Sequence, residues 1–213
     1  MKRLIRRHFL ADRNAAILDL GCGHGALIYF ARLAGYQNIR GVDGSSEQIA
    51  SAKKLGIEGV EEADLMVFLP EQRSESVDIV ITIDVVEHFT REELLGFVDQ
   101  IYRVVKPGGR WIINMPNGGS PFCGRSRYFD LTHELAFTRN SISQLLLSSG
   151  FSNIRCFEDA PVPHGVKSAI RFVLWKVIRS ILRFYIAVET GDINSGVIFS
   201  QNFLVVAEKS EYQ

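Results

Sequence analysis

The stretch Ala16-Ile17-Leu18-Asp19-Leu20-Gly21-Cys22-Gly23-His24-Gly25 decides the fold. A short apolar run ends on glycines, and Leu27, Phe30, Ala31 and Ala34 then follow at helical spacing up to Gly35. This reads as strand, tight turn, helix. At such a junction the backbone approaches a ligand closely and the helix N-terminal N–H groups are free, so a nucleotide-like cofactor is the natural occupant. Gly21, Gly23 and Ala26 also satisfy the loose G-x-G-x-x-G/A dinucleotide fingerprint. The turn alone therefore leaves the cofactor open.

Outward from the turn, the same unit recurs. Asn38 to Val42 is a second strand ending at Asp43, a carboxylate placed to accept two ribose hydroxyls, and Ser45 caps a helix reaching Lys54. Val77 to Ile83 is a β-branched strand, Arg91 to Val105 an amphipathic helix, and Lys106-Pro107-Gly108-Gly109 a stop-and-turn before a strand over Arg110 to Met115. Strands alternating with helices imply a parallel sheet covered on both faces. After Pro116 comes a loop rich in Gly, Ser and Pro, Asn117 to Arg127. A helix over Thr138 to Ser149, a strand over Ser152 to Phe157, a long helix over Val166 to Val188 and an apolar strand within Gly196 to Glu208 follow. No repeat or linker divides the chain, which predicts one domain over 1–213, with a basic segment 1–14, a cofactor half 15–116 and a substrate-side half 117–213.

Composition agrees. The chain has 213 residues, 24 Lys+Arg against 24 Asp+Glu and 46% hydrophobic residues, which excludes disorder and a disulfide scaffold. Zero net charge argues against wholesale nucleic-acid binding. Cys22, Cys123 and Cys156 are far apart and form no C-x-x-C, so neither zinc nor disulfides are expected and a reducing cytoplasm is. The basic start, Met1 to Leu10, lacks a signal-peptide apolar run, and no window is apolar enough to span a bilayer.

Several motifs in order resemble those of the class I S-adenosylmethionine-dependent methyltransferases. Ile17 to Gly25 resembles the first motif, Gly41-Val42-Asp43-Gly44-Ser45 the acidic turn after strand two, and Glu62-Ala63-Asp64-Leu65 the segment that meets adenine. Asp84-Val85-Val86-Glu87-His88-Phe89 is similar to the segment after strand four, and Val105 to Gly109 to the turn before strand five. The resemblance covers residues 15 to 116. It implies an α/β, Rossmann-like, doubly wound and mostly parallel seven-stranded sheet with helices on both faces and a helical insertion near the C-terminus. It implies S-adenosyl-L-methionine as cofactor, held by Asp19, Gly21, Cys22, Gly23, Gly25, Asp43, Gly44, Ala63, Asp64, Leu65 and Asp84. In that pattern Asp19 fixes the methionine end, Asp43 the ribose, and Asp64 with Leu65 the adenine. Gly21, Asp43, Asp64 and Asp84 fall at or just after strand ends, where open α/β sheets bind ligands, and the carboxylates suit a sulfonium and an ammonium. An NAD-dependent oxidoreductase fits the later motifs less well.

On the substrate side, Tyr128 to Thr138 carries aromatic, carboxylate and imidazole groups, and resembles a segment of methyltransferases encoded with bacterial surface-polysaccharide genes. The candidate base is His133, oriented by Asp130 or Glu134, with His88 the second candidate. His24 borders the cofactor turn; His8 and His164 carry no motif. Arg125 and Arg127 either meet an anionic substrate or solvate their loop. No metal-ligand spacing is recognisable, so no metal is expected. The acceptor expected is a hydroxyl of a glycan or lipid-linked saccharide; a quinone or lipophilic phenol, and a non-catalytic cofactor-binding module, are the alternatives.

Residues 166–188 have five basic and no acidic side chains. Val173, Val177, Ile181, Phe184 and Val188 share one wheel face and Lys176, Arg179 and Arg183 the other. Such a helix lies on an anionic membrane, packs on the core, or meets a second subunit in a homodimer. Residues 43–99 hold fourteen acidic and four basic side chains, so the zero net charge is a cancellation between segregated regions.

Overall fold

A computed structural model describes residues 1–191 and 196–211. The elements in chain order are α1 (Lys2–His8), β1 (Ile17–Leu20), α2 (Ala26–Leu33), β2 (Ile39–Asp43), α3 (Ser46–Lys54), β3 (Val60–Glu62), α4 (Leu65–Glu71) and β4 (Val77–Ile83). There follow a 3-10 turn (Val86–His88), α5 (Arg91–Val104), β5 (Val105–Pro116), α6 (Cys123–Arg127), α7 (Arg139–Ser148), β6 (Phe151–Glu158), α8 (Val166–Thr190) and β7 (Asn202–Lys209). The seven strands form one sheet in the order β3-β2-β1-β4-β5-β7-β6. Strands β3 through β5 run parallel, and β7 is antiparallel to both β5 and β6.

Strand alternation builds two apolar layers. Leu18, Leu20, Val80, Trp111 and Ile113 face one way and meet Phe68 of α4, Phe97 and Ile101 of α5, and Ile142 and Leu146 of α7. Ile17, Ile79, Ile81 and Ile112 face the other way against Ile5 of α1, Leu27, Ile28 and Ala31 of α2, and Ile49 and Ala52 of α3. These side chains are all buried, as expected of strands covered on both faces.

The expected elements form with shifts of a few residues, and four departures matter. Strand β3 and helix α4 have no clear signal in the sequence pattern: Val60–Glu62 is only three residues long, and Asp64 rather than an apolar run marks the helix, its Oδ1 accepting from Met66 N at 2.7 Å. Lys106 to Gly109 lies within β5, where the pairing jumps from Val77↔Val105 to Ile79↔Arg110 and leaves those four residues bulged. Lys106 Nζ there reaches Asp78 Oδ2 at 2.8 Å. The 117–127 loop contains the short helix α6. The apolar strand expected within Gly196 to Glu208 runs over Asn202–Lys209, one residue further; residues 192–195 lie outside the described residues.

Order 3-2-1-4-5 reverses at β1, so the carboxyl ends of β1, β2 and β4 flank a switch point. There the crevice of an open α/β sheet lies.

Candidate active site

The glycine turn is shaped by backbone. Gly21 has φ +73°, and a Cβ there would lie 2.4 Å from Val85 Cγ2, so no other residue fits without displacing the segment after β4. Gly23, at φ +52°, has open space above it: a methyl placed there would find its nearest neighbour in Gln48 Oε1, at 3.7 Å. The cradle is therefore open on its outer side, as a ligand lying against the backbone requires.

Asp43 ties the two turns together: Oδ2 accepts from Gly23 N at 2.8 Å and Oδ1 from Ser45 N at 2.8 Å. Each oxygen keeps a lone pair for a ribose hydroxyl. Gly44 packs near the Ala63 carbonyl, and Ala63 N donates to Asp43 O at 3.1 Å, which carries the strand-two turn onto the Ala63-Asp64-Leu65 corner. Asp64 and Leu65 begin α4 beside it. Asp19 is buried near the end of β1, and burial first, then the charge of Asp43, raises its carboxyl to about 7. A cation beside it would restore the carboxylate.

The Cys22 side chain lies on the inner side of the turn. It is buried against Gly41, where a Cβ would lie 2.6 Å from Cys22 Cβ, and its thiol is pushed up to about 12, by burial first. Its side chain packs the turn from behind, leaving its backbone on the cradle. Gly25, at φ +78°, is the N-cap of α2.

Beyond β4 a second cluster forms around an open pocket of about 420 Å³ lined by Asp84, Glu87, His88, Pro116, Arg125, Ser126, Phe129, Asp130, His133, Gln201 and Asn202. Asp84 has φ +53° and accepts from Asn202 Nδ2 at 3.2 Å; desolvation raises its carboxyl, opposed by His133 and His88. The carbonyl of Glu87 accepts from Glu134 N at 2.8 Å and Leu135 N at 3.0 Å. These two bonds lay the 130–137 loop on the 3-10 turn and bring His133 to His88, ring centroids 4.8 Å apart and edge to face.

The expected pairing of Asp130 with His133 is replaced by a different one. Asp130 Oδ1 accepts from Thr132 N at 2.9 Å and Thr132 Oγ1 at 2.7 Å, and Thr132 Oγ1 lies 2.9 Å from His88 Nδ1. A hydroxyl has one proton; given to Asp130, it obliges His88 Nδ1–H to donate to Thr132 and leaves the Nε2 lone pair free. Asp130 thus orients His88, because Thr132 lies between them. Arg127 donates to the carbonyls of His133 and, at 2.8 Å, Glu134. It fixes the loop instead of reaching a substrate, whereas Arg125 lines the pocket.

Glu87 is the residue missed by sequence reasoning. It is fully buried, neither carboxylate oxygen has a hydrogen-bond partner among the described residues, and burial raises its carboxyl to about 8. With His88 and His133 it offers ligand atoms all within 4.8 Å of one another. No linear spacing exposes this group, since the two histidines lie 45 positions apart. His24, His8 and His164 lie outside this cluster, although His8 lines a second cavity with Arg3 and Arg7.

A glycine cradle, the carboxylates Asp43, Asp64 and Asp84 and a pocket beyond β4 lie together at the switch point of the sheet. Residues 18–113 match the family model described as "Methyltransferase domain". A probable S-adenosylmethionine-dependent methyltransferase of Mycolicibacterium smegmatis is 28% identical over 150 residues, covering 68% of this chain and 54% of the relative. The chain thus spans about half the length of that curated relative. Among solved structures, a SAM-dependent methyltransferase from Archaeoglobus fulgidus superposes with a TM-score of 0.72 at 21% identity, over 98% of this chain and 92% of the other. A Haemonchus contortus phosphoethanolamine N-methyltransferase 2, solved with phosphomonomethylethanolamine and S-adenosylhomocysteine, gives 0.66 at 20% identity, over 97% and 51%. Residues 18–113 thus match a methyltransferase domain, and the chain as a whole has the fold of these solved structures.

Proposed function

We propose that the protein O-methylates a hydroxyl of a glycan, in a small saccharide or a lipid-linked precursor. The observation that carries this reading is the His88–Thr132–Asp130 alignment opening onto the pocket beyond β4. A sugar hydroxyl is a poor nucleophile until its proton leaves, and the lone pairs of His88 and His133 supply the activation that an easily ionised phenol or an amine would not need. The bound cofactor supplies an electrophilic methyl carbon on a sulfonium. Asp19, Asp43 and the Asp64–Leu65 corner hold the cofactor. The pocket would seat the acceptor oxygen in line with that methyl carbon, and the histidine corner would take up the hydroxyl proton.

The chain is read as one functional unit, with 1–14 as a basic segment and 117–213 as its substrate side. A cavity of about 420 Å³ lined by Arg3, Arg7 and His8 on one wall adjoins the ends of β4 and β5, and suits an anionic acceptor such as a saccharide phosphate. Helix α8 supports a lipid-linked acceptor at an anionic membrane surface. Its Phe172, Trp175, Arg179 and Leu182 side is the partly covered one, with Arg179 Nε on Glu158 Oε1 at 2.9 Å. Val173, Val177, Ile181, Phe184 and Val188 all point outward and are more than half exposed. Arg179 therefore leaves the expected outer basic face, and the apolar stripe is not packed on the core. No helix among the described residues is long and apolar enough to cross a membrane, so the contact would be peripheral, at the inner face of the membrane. The exposed Phe129 and Leu131 beside the pocket favour, as a second reading, a quinone or other lipophilic phenol.

Methyl transfer to a panel of saccharides, phenols and amines tests the choice. Saccharide turnover that falls about 10²–10⁴-fold in His88→Ala and His133→Ala, with S-adenosylhomocysteine affinity unchanged, is the expected result. Turnover of phenols alone, insensitive to both substitutions, overturns it.

A further inference from the structure

Glu87 is a fully buried carboxylate whose two oxygens have no hydrogen-bond partner among the described residues. Burying an ionised group costs several kcal/mol unless something pairs with it, and a neutral acid still needs partners for its O–H and carbonyl. The backbone N–H groups of Val85 and Glu87 offset only part of the burial that raises the carboxyl, and Nδ1 of His133 is likewise buried without a partner. One donor atom from each of Glu87, His88 and His133 lies within 4.8 Å of the other two.

We propose that Glu87, His88 and His133 bind one divalent transition-metal ion, which takes the acceptor hydroxyl as a further ligand. The acceptor half of this statement rests on the methyl-transfer reading above; the metal half does not. One carboxylate and two imidazoles form a nitrogen and oxygen donor set suited to Zn²⁺, Mn²⁺, Co²⁺ or Fe²⁺, in contrast to the all-oxygen sets of Ca²⁺ and Mg²⁺. Three protein ligands leave open positions, the arrangement of a catalytic rather than a structural site. Those positions face the pocket that Asp84, Asp130 and Asn202 line. The second layer is already built. His88 gives its Nδ1–H to Thr132, which is held by Asp130, so the ring is locked with the other nitrogen free, as metal-bound histidines are. A hydroxyl on such an ion would be acidified; the metal then replaces the imidazoles as the activating group, and the proton would pass to water at the pocket mouth.

The test uses the untagged full chain, stripped with a chelator and titrated with Co²⁺ while the visible ligand-field bands and the stoichiometry are followed. One saturable site per chain is expected, weakened more than about 100-fold in Glu87→Gln and His133→Ala and about 10-fold in Thr132→Val, with Thr132→Ser restoring it. Binding of S-adenosylhomocysteine by each variant shows that it is folded. No saturable Co²⁺ site, or one unaffected by Glu87→Gln and His133→Ala, overturns the metal site, and saccharide methylation that persists in chelator would then leave the methyl-transfer reading standing. A Co²⁺ site that needs these ligands, in a protein that methylates no hydroxyl, upholds the metal site and overturns the acceptor assignment instead.

Discussion

Asp19 shows what one residue contributes when its neighbourhood is known. Read as a motif letter it is a cofactor contact; in the fold it is a buried carboxyl raised to about 7 from an ordinary 3.8, by burial first and by Asp43 second. A group whose folded pKa is raised binds more protons folded than unfolded, so stability without cofactor falls as pH rises from about 4 to 7 and levels off above it. We expect Asp19→Asn to raise the melting temperature of the cofactor-free protein at pH 8, by the equivalent of a few kcal/mol at most, and to change it little at about pH 4.5, where the acid is already neutral in the fold. The same substitution should weaken S-adenosylmethionine binding at pH 8 by more than about tenfold, since it removes the partner of a cation. Thermal melts at the two pH values and a titration check both; a destabilised Asp19→Asn at pH 8 would contradict the assignment. At this scale the glycines and Asp43 were legible, because backbone geometry and charge act locally. Glu87 and Thr132 were not, because their meaning lies in what a distant loop places beside them.

The elements followed from local pattern wherever pattern was strong. Helix α5 carries Leu94, Phe97, Val98 and Ile101 on one buried stripe, and β4 alternates between the two layers of the core. The start of α5 is set by a capping box, Thr90 Oγ1 accepting from Glu93 N while Glu93 Oε2 accepts from Thr90 N at 2.9 Å. Thr90→Ala should cost about 1 kcal/mol in urea unfolding with an unchanged slope, because it exposes a helix donor and leaves the packing intact. Where pattern was weak the reading failed: β3 has three residues and no periodicity, and its place at the sheet edge comes from pairing Gly41 to Asp43 of β2. Helix α8 was legible as an element, but which of its faces looks outward was not. A helical wheel gives relative angles, and the rotation is set by Arg179 reaching Glu158 at the end of β6.

For the whole molecule, the question is how segregated charge is oriented. Arg3 of α1 donates to the Ala160 carbonyl at 3.1 Å, which places the basic N-terminal helix beside the segment that leads into α8. Two basic segments on one side and an acidic cofactor half would orient the molecule at an anionic surface. The full chain should sediment with phosphatidylglycerol vesicles at low salt and progressively less as salt rises. Val177→Asp with Ile181→Asp should abolish sedimentation without altering the melting temperature, since both side chains are exposed; equal sedimentation of variant and parent would remove α8 from the membrane reading. The sequence by itself determined the strand-turn-helix order and the glycine turn between β1 and α2, because glycine turns, caps and apolar periodicity act over a few residues. Only the tertiary structure decided which histidine Asp130 aligns, that Glu87 is buried beside two imidazoles, and that the apolar stripe of α8 faces away from the core. Each of these depends on contacts between segments far apart in the chain, and such contacts are set by how the sheet and its connecting loops pack.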